Sequence, residues 1–366
     1  MADARASLRV AVVAGTRPEV IKMAPVVRAL AAGGLEPLVV SAGQHQELLE
    51  QAFLAVGIEP EVSLRAMTVA QTPTDLLARL LGLLSATFRE TRPAAVLAQG
   101  DTTTVLAATL AAYYERIPVG HVEAGLRTYD HDHPFPEEGN RQLVDRLCRW
   151  CFAPTTLSAE NLRREAIDDR AILVTGNTAV DGLLWAKERS TFALPPSSVL
   201  LTLHRRESFG GALDDIVAGV VDFLEQEPTA LVCWPVHPNP AVRQTAERLR
   251  SHPRVTLTEP MDYLTFAGAL ATCRFVLSDS GGVQEEAPSV GRRVLVARET
   301  TERPEGVEAG TSILVGRGRA AVTAAMRLEF HRALAQRVAV NPFGDGHASQ
   351  RIVAALRAAL IPVEHA

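Results

Sequence analysis

The sequence predicts an α/β protein built from two doubly wound halves, each a parallel sheet covered by helices on both faces. Short runs rich in Val, Leu and Ala alternate with segments carrying apolar residues at helical spacing, the pattern of strand–helix–strand units. The alternation runs through the first part of the 366-residue chain and then restarts. Polar and Gly-rich clusters fall just beyond the apolar runs, at the carboxyl ends of the expected strands, where open parallel sheets bind ligands.

In order, LRVAVVAGT is an apolar run ending in Gly-Thr, as expected of a buried parallel strand entering a tight loop. PEVIKMAPVVRALAAGG has helical spacing and stops at Gly33-Gly34. LEPLVVSAGQ is the next strand, HQELLEQAFLAVG a helix, AAVLAQGDTTT a strand and loop, VLAATLAAYYERI a helix and PVGHVEAG a strand. In the second half AILVTGNTAV, SVLLTLHRRES, ALVCWPVHP, RVTLTEPM, CRFVLSDSGG and RRVLVARETT are candidate strands, with helical segments between most of them. The expected boundary lies near residue 170. Residues 1–170 make a first Rossmann-like domain and 171–346 a second, with a ligand cleft between them. ASQRIVAALRAAL, within about 347–366, is a terminal helix expected to pack back on the first.

Composition narrows the function. Hydrophobic residues make up 47% and charged residues 22%, the profile of a globular protein. A net charge of −5 argues against nucleic acid or an anionic membrane as the partner. No apolar run approaches the roughly 20 residues that span a bilayer. MADARASLRVAVVAG enters a strand directly, without the apolar core of a leader, so a cytoplasmic protein is expected. Cys148 and Cys151 form a single CxxC, while Cys233 and Cys273 stand alone. A zinc site ordinarily uses a second such pair, so buried reduced thiols are expected instead.

The motifs point to a cleft for an anionic ligand. GTRPEVIK puts Gly15, Thr16 and Arg17 between a strand and a helix, with Lys22 further along. A helix N-terminus with cations nearby favours an anion; a plain βα turn is the alternative. The stretch is neither GxGxxG nor a Walker loop, so it carries no dinucleotide or ATP fingerprint. In SDSGGVQEEAPSVG, Gly281 and Gly282 let the backbone approach a diphosphate, Ser280 adds a donor, and Glu285 or Glu286 is placed to accept from ribose hydroxyls. A Gly-rich turn with helix-capping carboxylates is the plainer reading. Arg303 lies in TTERPEG, Asp101 in GDTTT, His204 to Glu207 in HRRE, and His237 in PVHPNP. Several charged strand ends in one chain favour a ligand cleft.

GHVEAGLRTYDHDHPFPEEGNR, residues 120–141, gathers His121, His131 and His133 with Glu123, Asp130, Asp132, Glu137 and Glu138. Metal site, acid/base carboxylates and solvated loop are the three readings. His131 and His133 alternate beside Pro134 and Pro136, so no helix presents both on one side, and no metal is expected. Glu123 ends a strand and Glu137 follows Pro136 at a helix start, which favours acid/base carboxylates.

Taken together, GTRPEVIKMAP, QGDTTT, VGHVEAGLRT, PFPEEGNR, VTGNTAVDGLLW, HRRESFG, PVHPNP, SDSGGVQEEAPS, TTERPEGVEAGT and NPFGDGHAS resemble the bacterial non-hydrolysing UDP-N-acetylglucosamine 2-epimerases, in order from about residue 8 to 360. The resemblance implies a glycosyltransferase-B-like fold, a UDP-sugar substrate, interconversion of UDP-GlcNAc and UDP-ManNAc for cell-wall or surface polysaccharide, no cofactor, and a homodimer. It implies Arg17 and Lys22 at the nucleotide sugar, and Ser280, Gly281, Gly282, Glu286 and Arg303 on the UDP with Phe266 beside it. Asp101, Glu123, Glu137 and His204 would form the reaction centre. Gln44, His45 and His237 match a subsite for an activating second UDP-GlcNAc. Glu47 stands there in place of the usual Gln, and Ala70 in place of an Arg, so activation is expected to be weak. The loop RTYDHDHPFPEE, Leu203 and Arg293 also depart from the family pattern.

The chemistry suits those residue types. The C2 hydrogen is not next to a carbonyl, so a carboxylate cannot remove it until the C1–O bond to UDP breaks. Proton loss then gives a 2-acetamidoglucal and UDP, and re-addition from the opposite face inverts C2. That route needs cations on the diphosphate and acid/base groups on two faces. A hydrolysing epimerase, a 2-epimerase of a related UDP-acylamino sugar and a retaining glycosyltransferase are the competing readings.

Overall fold

The computed structural model describes residues 8–43, 46–67, 71–204, 211–332 and 340–361, with only the backbone at 46–48. The chain forms two compact units. One runs to Gly182 and resumes at Gly346; the other is Leu183–Asp345.

The first unit carries strands β1 (Arg9–Ala14), β2 (Glu36–Ser41), β3 (Val62–Ser63), β4 (Ala95–Gln99), β5 (Val119–Val122), β6 (Trp150–Ala153) and β7 (Ile172–Val174). Its helices are α1 (Arg17–Ala32), α2 (Gln46–Ala55), α3 (Pro73–Thr91), α4 (Thr103–Tyr114), α5 (Glu137–Leu147) and α6 (Thr156–Arg164). Helix α7 (Thr178–Arg189) leads into the second unit. There follow β8 (Ser198–Thr202), α8 (Gly211–Gln226), β9 (Leu231–Pro235), α9 (Pro240–Glu247), β10 (Val255–Thr258), α10 (Tyr263–Thr272) and β11 (Val276–Ser278). Then come α11 (Gly281–Glu286), β12 (Val294–Val296), α12 (Pro304–Glu308), β13 (Ser312–Leu314) and α13 (Arg319–His331), and α14 (Ala348–Leu360) closes the described chain.

Among the described residues the first sheet has the order β3-β2-β1-β4-β5-β6-β7 and the second β10-β9-β8-β11-β12-β13, every pair parallel. These are the two doubly wound parallel sheets that the alternation predicts. One expectation is corrected. AILVTGNTAV is expected in the second half, but β7 pairs with β6 through Cys151–Ile172, Phe152–Leu173 and Ala153–Val174, which carries the first sheet past residue 170.

The central strands β1 and β4 are largely apolar because both of their faces are covered. Val10 and Val12 face a core with Met23, Val26 and Leu30 of α1 and Ile352, Val353 and Leu356 of α14. Ala11 and Val13, pointing the other way, meet Leu80, Leu84 and Phe88 of α3 and Val105 and Ala108 of α4. In the second unit Val199, Leu201, Trp234 and Leu277 share a core with Phe223 of α8 and Met326 of α13.

In each sheet the strand order reverses once, between β1 and β4 and between β8 and β11. The loops leaving those strands diverge and open a crevice at their carboxyl ends. GTR and GDT leave the first pair, and His204 and SDSGG the second.

Helix α14 is fastened by one buried side chain. Asp181 of α7 accepts the N–H of Ala348 (3.2 Å), the N–H of Ser349 (2.8 Å) and the hydroxyl of Ser349 (2.6 Å). Asp181→Ala leaves buried donors at the start of α14 without an acceptor. We expect a loss of about 2–3 kcal/mol in unfolding free energy, measured by urea denaturation.

Candidate active site

The turn from β1 into α1 carries its own carboxylate. Glu19, 3% exposed, accepts the N–H of Gly15 (2.6 Å) and of Thr16 (3.3 Å), and the hydroxyl of Thr102 (2.7 Å) across the switch point. Burial pushes this carboxyl up to about 7 against the opposing hydrogen bonds of Gly15, Thr102 and Thr16. The turn is therefore tied to the loop after β4. Arg17 is exposed at the first position of α1.

Glu123 stands just beyond β5 with φ of 71°, a left-handed conformation that costs a non-glycine residue energy. Its carboxylate is buried and well supplied with donors. Lys22 Nζ lies 2.6 and 2.9 Å from the two oxygens, Asn177 Nδ2 donates at 3.1 Å, and Gln99 Nε2 donates as well. Lys22 of α1 thus pairs with Glu123.

Helix α5 organises the neighbouring loops. Glu138, fully buried, accepts the N–H of Thr128 (3.0 Å) and Tyr129 (3.1 Å), Gln142 Nε2 (3.0 Å) and Arg141 Nη1 (3.1 Å). Burial works to raise its carboxyl, but those donors together hold it below its ordinary value. Arg141 Nε also donates to Asp101 Oδ2 (2.9 Å), with Nη2 2.7 Å from the same oxygen, and Asn140 Nδ2 donates to the Asp101 carbonyl (2.8 Å). Asp145 accepts Arg127 Nη2 at 2.7 Å and the Gly125 N–H at 3.2 Å, and lies 2.6 Å from His121 Nδ1. Arg127 continues to Glu165, with Nε 2.6 Å from its carboxylate. Gly125, at φ 84°, admits no side chain, because a Cβ would sit 2.2 Å from the Ser158 carbonyl.

In the second unit, the buried Asp279 carboxylate accepts the His204 backbone N–H (3.0 and 3.1 Å) and lies 3.0 Å from His204 Nδ1. His237 lies alongside, its ring centroid 5.9 Å from that of His204. Burial, then the His204 charge, lowers the His237 imidazole, with Asp279 opposing. Arg303 packs over Gly281, where a Cβ would meet the guanidinium at 2.7 Å, and donates to the buried Glu285 (2.7 Å). Glu285 thus faces inward. The half-buried Glu286 accepts instead from the Tyr263 hydroxyl at 3.3 Å. Ser280 stands at the residue before α11, Gly282 lies in its first turn, and Phe266 is half-buried on α10.

The structure thus joins Lys22 to Glu123 in one unit, and His204 to His237 and Arg303 to Gly281 in the other. Glu137 is half-buried at the first position of α5, and no hydrogen bond to its carboxylate occurs among the described residues. His131 and His133 are exposed; His133 Nδ1 lies 3.2 Å from Asp130. Among the described residues no three His, Cys, Asp or Glu gather to hold a metal, and no helix is long and apolar enough to cross a membrane. All four cysteines are free thiols, and burial pushes Cys233 up to about 11 and Cys273 up to about 12. Gln44, His45, the side chain of Glu47, Ala70 and Arg205 to Glu207 lie outside the described residues.

Sequence reasoning missed Glu19, Gln99, Arg141, Asp145, Asn177 and Asp279, and it named His121 and Glu138 without giving either a role of its own. A signal existed for the three of these that lie on α5. In EEGNRQLVDRL, Glu138, Arg141 and Asp145 recur at the spacing where an apolar face belongs.

Glu19 makes stability depend on pH. Its folded value of about 7 lies above the ordinary 4.5, so between these values the folded state binds the proton more tightly. The stability it contributes is complete below pH 4.5 and is lost as pH rises through 7. Glu19→Gln cannot titrate. Relative to the native chain, the variant is expected to gain up to roughly 3 kcal/mol between pH 4.5 and 8, read by urea denaturation at each pH. A pH-independent difference would contradict the assignment.

Comparison with known proteins fits this geometry. The sequence profile of the family described as UDP-N-acetylglucosamine 2-epimerase matches residues 28–357. The UDP-N-acetylglucosamine 2-epimerase of Yersinia pestis is 43% identical over 370 residues, covering 96% of this chain and 98% of that one. The crystal structure of UDP-GlcNAc 2-epimerase from Neisseria meningitidis bound to UDP-GlcNAc has a TM-score of 0.86 at 38% identity, covering 95% of this chain and 99% of that one. A glycotransferase of kitacinnamycin, at 14% identity and a TM-score of 0.65 over 97% of this chain and 100% of that one, shares the fold alone. With residues 28–357 matched by the family and 96% of the chain aligned at 43% identity, the chain belongs to the UDP-N-acetylglucosamine 2-epimerase family.

Proposed function

We propose that this protein interconverts UDP-GlcNAc and UDP-ManNAc without hydrolysing them. The observation that carries the reading is Glu123. A buried carboxylate in a left-handed conformation at a strand end, fixed by Lys22, Gln99 and Asn177, is a positioned proton acceptor rather than a solvated acid. The relative from Neisseria meningitidis, crystallised with UDP-GlcNAc, supports the substrate class.

In this reading the diphosphate leaves C1 with the bonding electrons, assisted by the cations Arg17 and Lys22 and by the His204 side chain. The oxocarbenium ion loses its C2 proton to one member of the set Asp101, Glu123 and Glu137, giving the 2-acetamidoglucal. A second member returns a proton to the opposite face, and UDP re-adds at C1. Ser280, Gly281, Gly282, Glu286 and Arg303 hold the UDP, with Phe266 beside it. No step draws on a nicotinamide. Gln44, His45 and His237 would line the subsite for an activating UDP-GlcNAc.

Two experiments test this. UDP-GlcNAc incubated with the protein in deuterated water should acquire deuterium at C2 in both epimers, as seen by proton NMR. Retained hydrogen rules out the elimination route, and free sugar in place of UDP-sugar identifies a hydrolysing enzyme. Secondly, Glu123→Gln and Glu137→Gln should each lower turnover at least about a hundredfold, the scale of a positioned acid or base, with UDP binding intact. His131→Ala and His133→Ala should cost less than about tenfold, because those side chains are exposed. The reverse ranking would contradict the assignment.

A further inference from the structure

Within the first unit lies a buried charged chain that the reaction scheme does not use. His121 is fully buried on β5, with Nδ1 2.6 Å from Asp145 Oδ1 and Nε2 2.7 Å from the Gly100 carbonyl. Both partners are acceptors. A neutral imidazole carries a single N–H and would leave one of these oxygens facing a lone pair, at a burial where that is costly.

The surroundings match a cation. From α5 comes the Asp145 carboxylate, and from the loop after β5 the Arg127 guanidinium, itself neutralised by Glu165 of the segment after α6. Cys151, opposite His121 on β6, is a thiol that burial pushes up, so it stays neutral. His121, Arg127, Asp145 and Glu165 thus sum to zero charge. Burial disfavours the imidazolium, but the Asp145 carboxylate and the Gly100 carbonyl outweigh it and hold the group above its ordinary value.

Gly100 has φ of 86° and immediately precedes Asp101. Its N–H donates to the Val122 carbonyl at 3.1 Å, so His121 Nε2 supplies the donor for the other face of the same residue.

We propose that His121 is a positioning residue, a permanent imidazolium clamped between Asp145 and the Gly100 carbonyl, which fixes the loop that presents Asp101. Its effect on turnover rests on the epimerase reading; its effect on the loop does not.

The test combines three readings on the whole chain and on Asp145→Asn, which removes the charge that holds the proton. Nitrogen-15 NMR of histidine-labelled protein at pH 7.5 should show both ring nitrogens of His121 protonated in the native chain and one in the variant. Amide exchange over residues 99–103 should be at least about tenfold faster in the variant. The variant's kcat should fall at least about tenfold while KM for the UDP-sugar stays within about threefold. If Asp145→Asn does not fold by circular dichroism, His121→Gln, which carries no charge, should give the same exchange and kcat/KM pattern. A native His121 with one protonated nitrogen overturns the proposal. So does a folded variant whose exchange and kcat both stay within about twofold of the native chain. If the native chain does not turn over UDP-GlcNAc, the epimerase reading fails, and the NMR and exchange readings still decide the clamp.

Discussion

Helix α5 buries charge where a helix of this length ordinarily buries hydrocarbon, and the first unit is arranged around that fact. Glu138 and Asp145 are at most 1% exposed. A carboxylate at that depth is tolerated only if donors replace its water. Glu138 therefore gathers the backbone of Thr128 and Tyr129, and Asp145 gathers Gly125, Arg127 and His121. Through Arg141, Asn140 and His121 the same helix reaches Asp101 and Gly100. The loops after β4 and β5 are thus held by side-chain bonds from one rigid element. That is how side chains carried on loops keep a fixed geometry.

The strained backbone at Glu123 follows the same logic. A left-handed non-glycine residue costs about 1–3 kcal/mol, and hydrogen bonds to a charged group each return about 1.5–3 kcal/mol. Lys22, Gln99 and Asn177 together exceed that cost, so the conformation is held and the carboxylate is aimed. In the second unit Asp279 does the same for His204, taking both its backbone N–H and its ring. In the second unit this pairing lies where the strand order reverses, and in the first unit it lies one strand beyond, at the end of β5.

Much of this was legible in the sequence. Parallel strands covered on both faces are mostly apolar, so most of them declare themselves, and Glu123, Asp101 and His204 follow within two residues of such runs. Glu137 is marked by Pro136. What was not legible depends on three-dimensional neighbours. ILV at residues 172–174 reads the same in either sheet, and only its pairing with Phe152 and its neighbours decides. Glu137 and Glu138 are adjacent in sequence, yet one turns outward and the other into the core, as Glu286 and Glu285 do on α11. Glu19 reads as an ordinary first-turn acid, because its partner Thr102 comes from another strand. Asp279 and His204 meet only because β8 and β11 are neighbours.

Under the proposed role of Asp101, α5 acts on turnover through that carboxylate, and a double-mutant cycle in kcat measures this most directly. Arg141→Met alone should lower kcat at least about tenfold. Made in an Asp101→Asn background it should cost less than about twofold, because the carboxylate that Arg141 holds is already gone. Equal losses in the two backgrounds would show that Arg141 does not act through Asp101, and the account of α5 as the organiser of the site would be wrong.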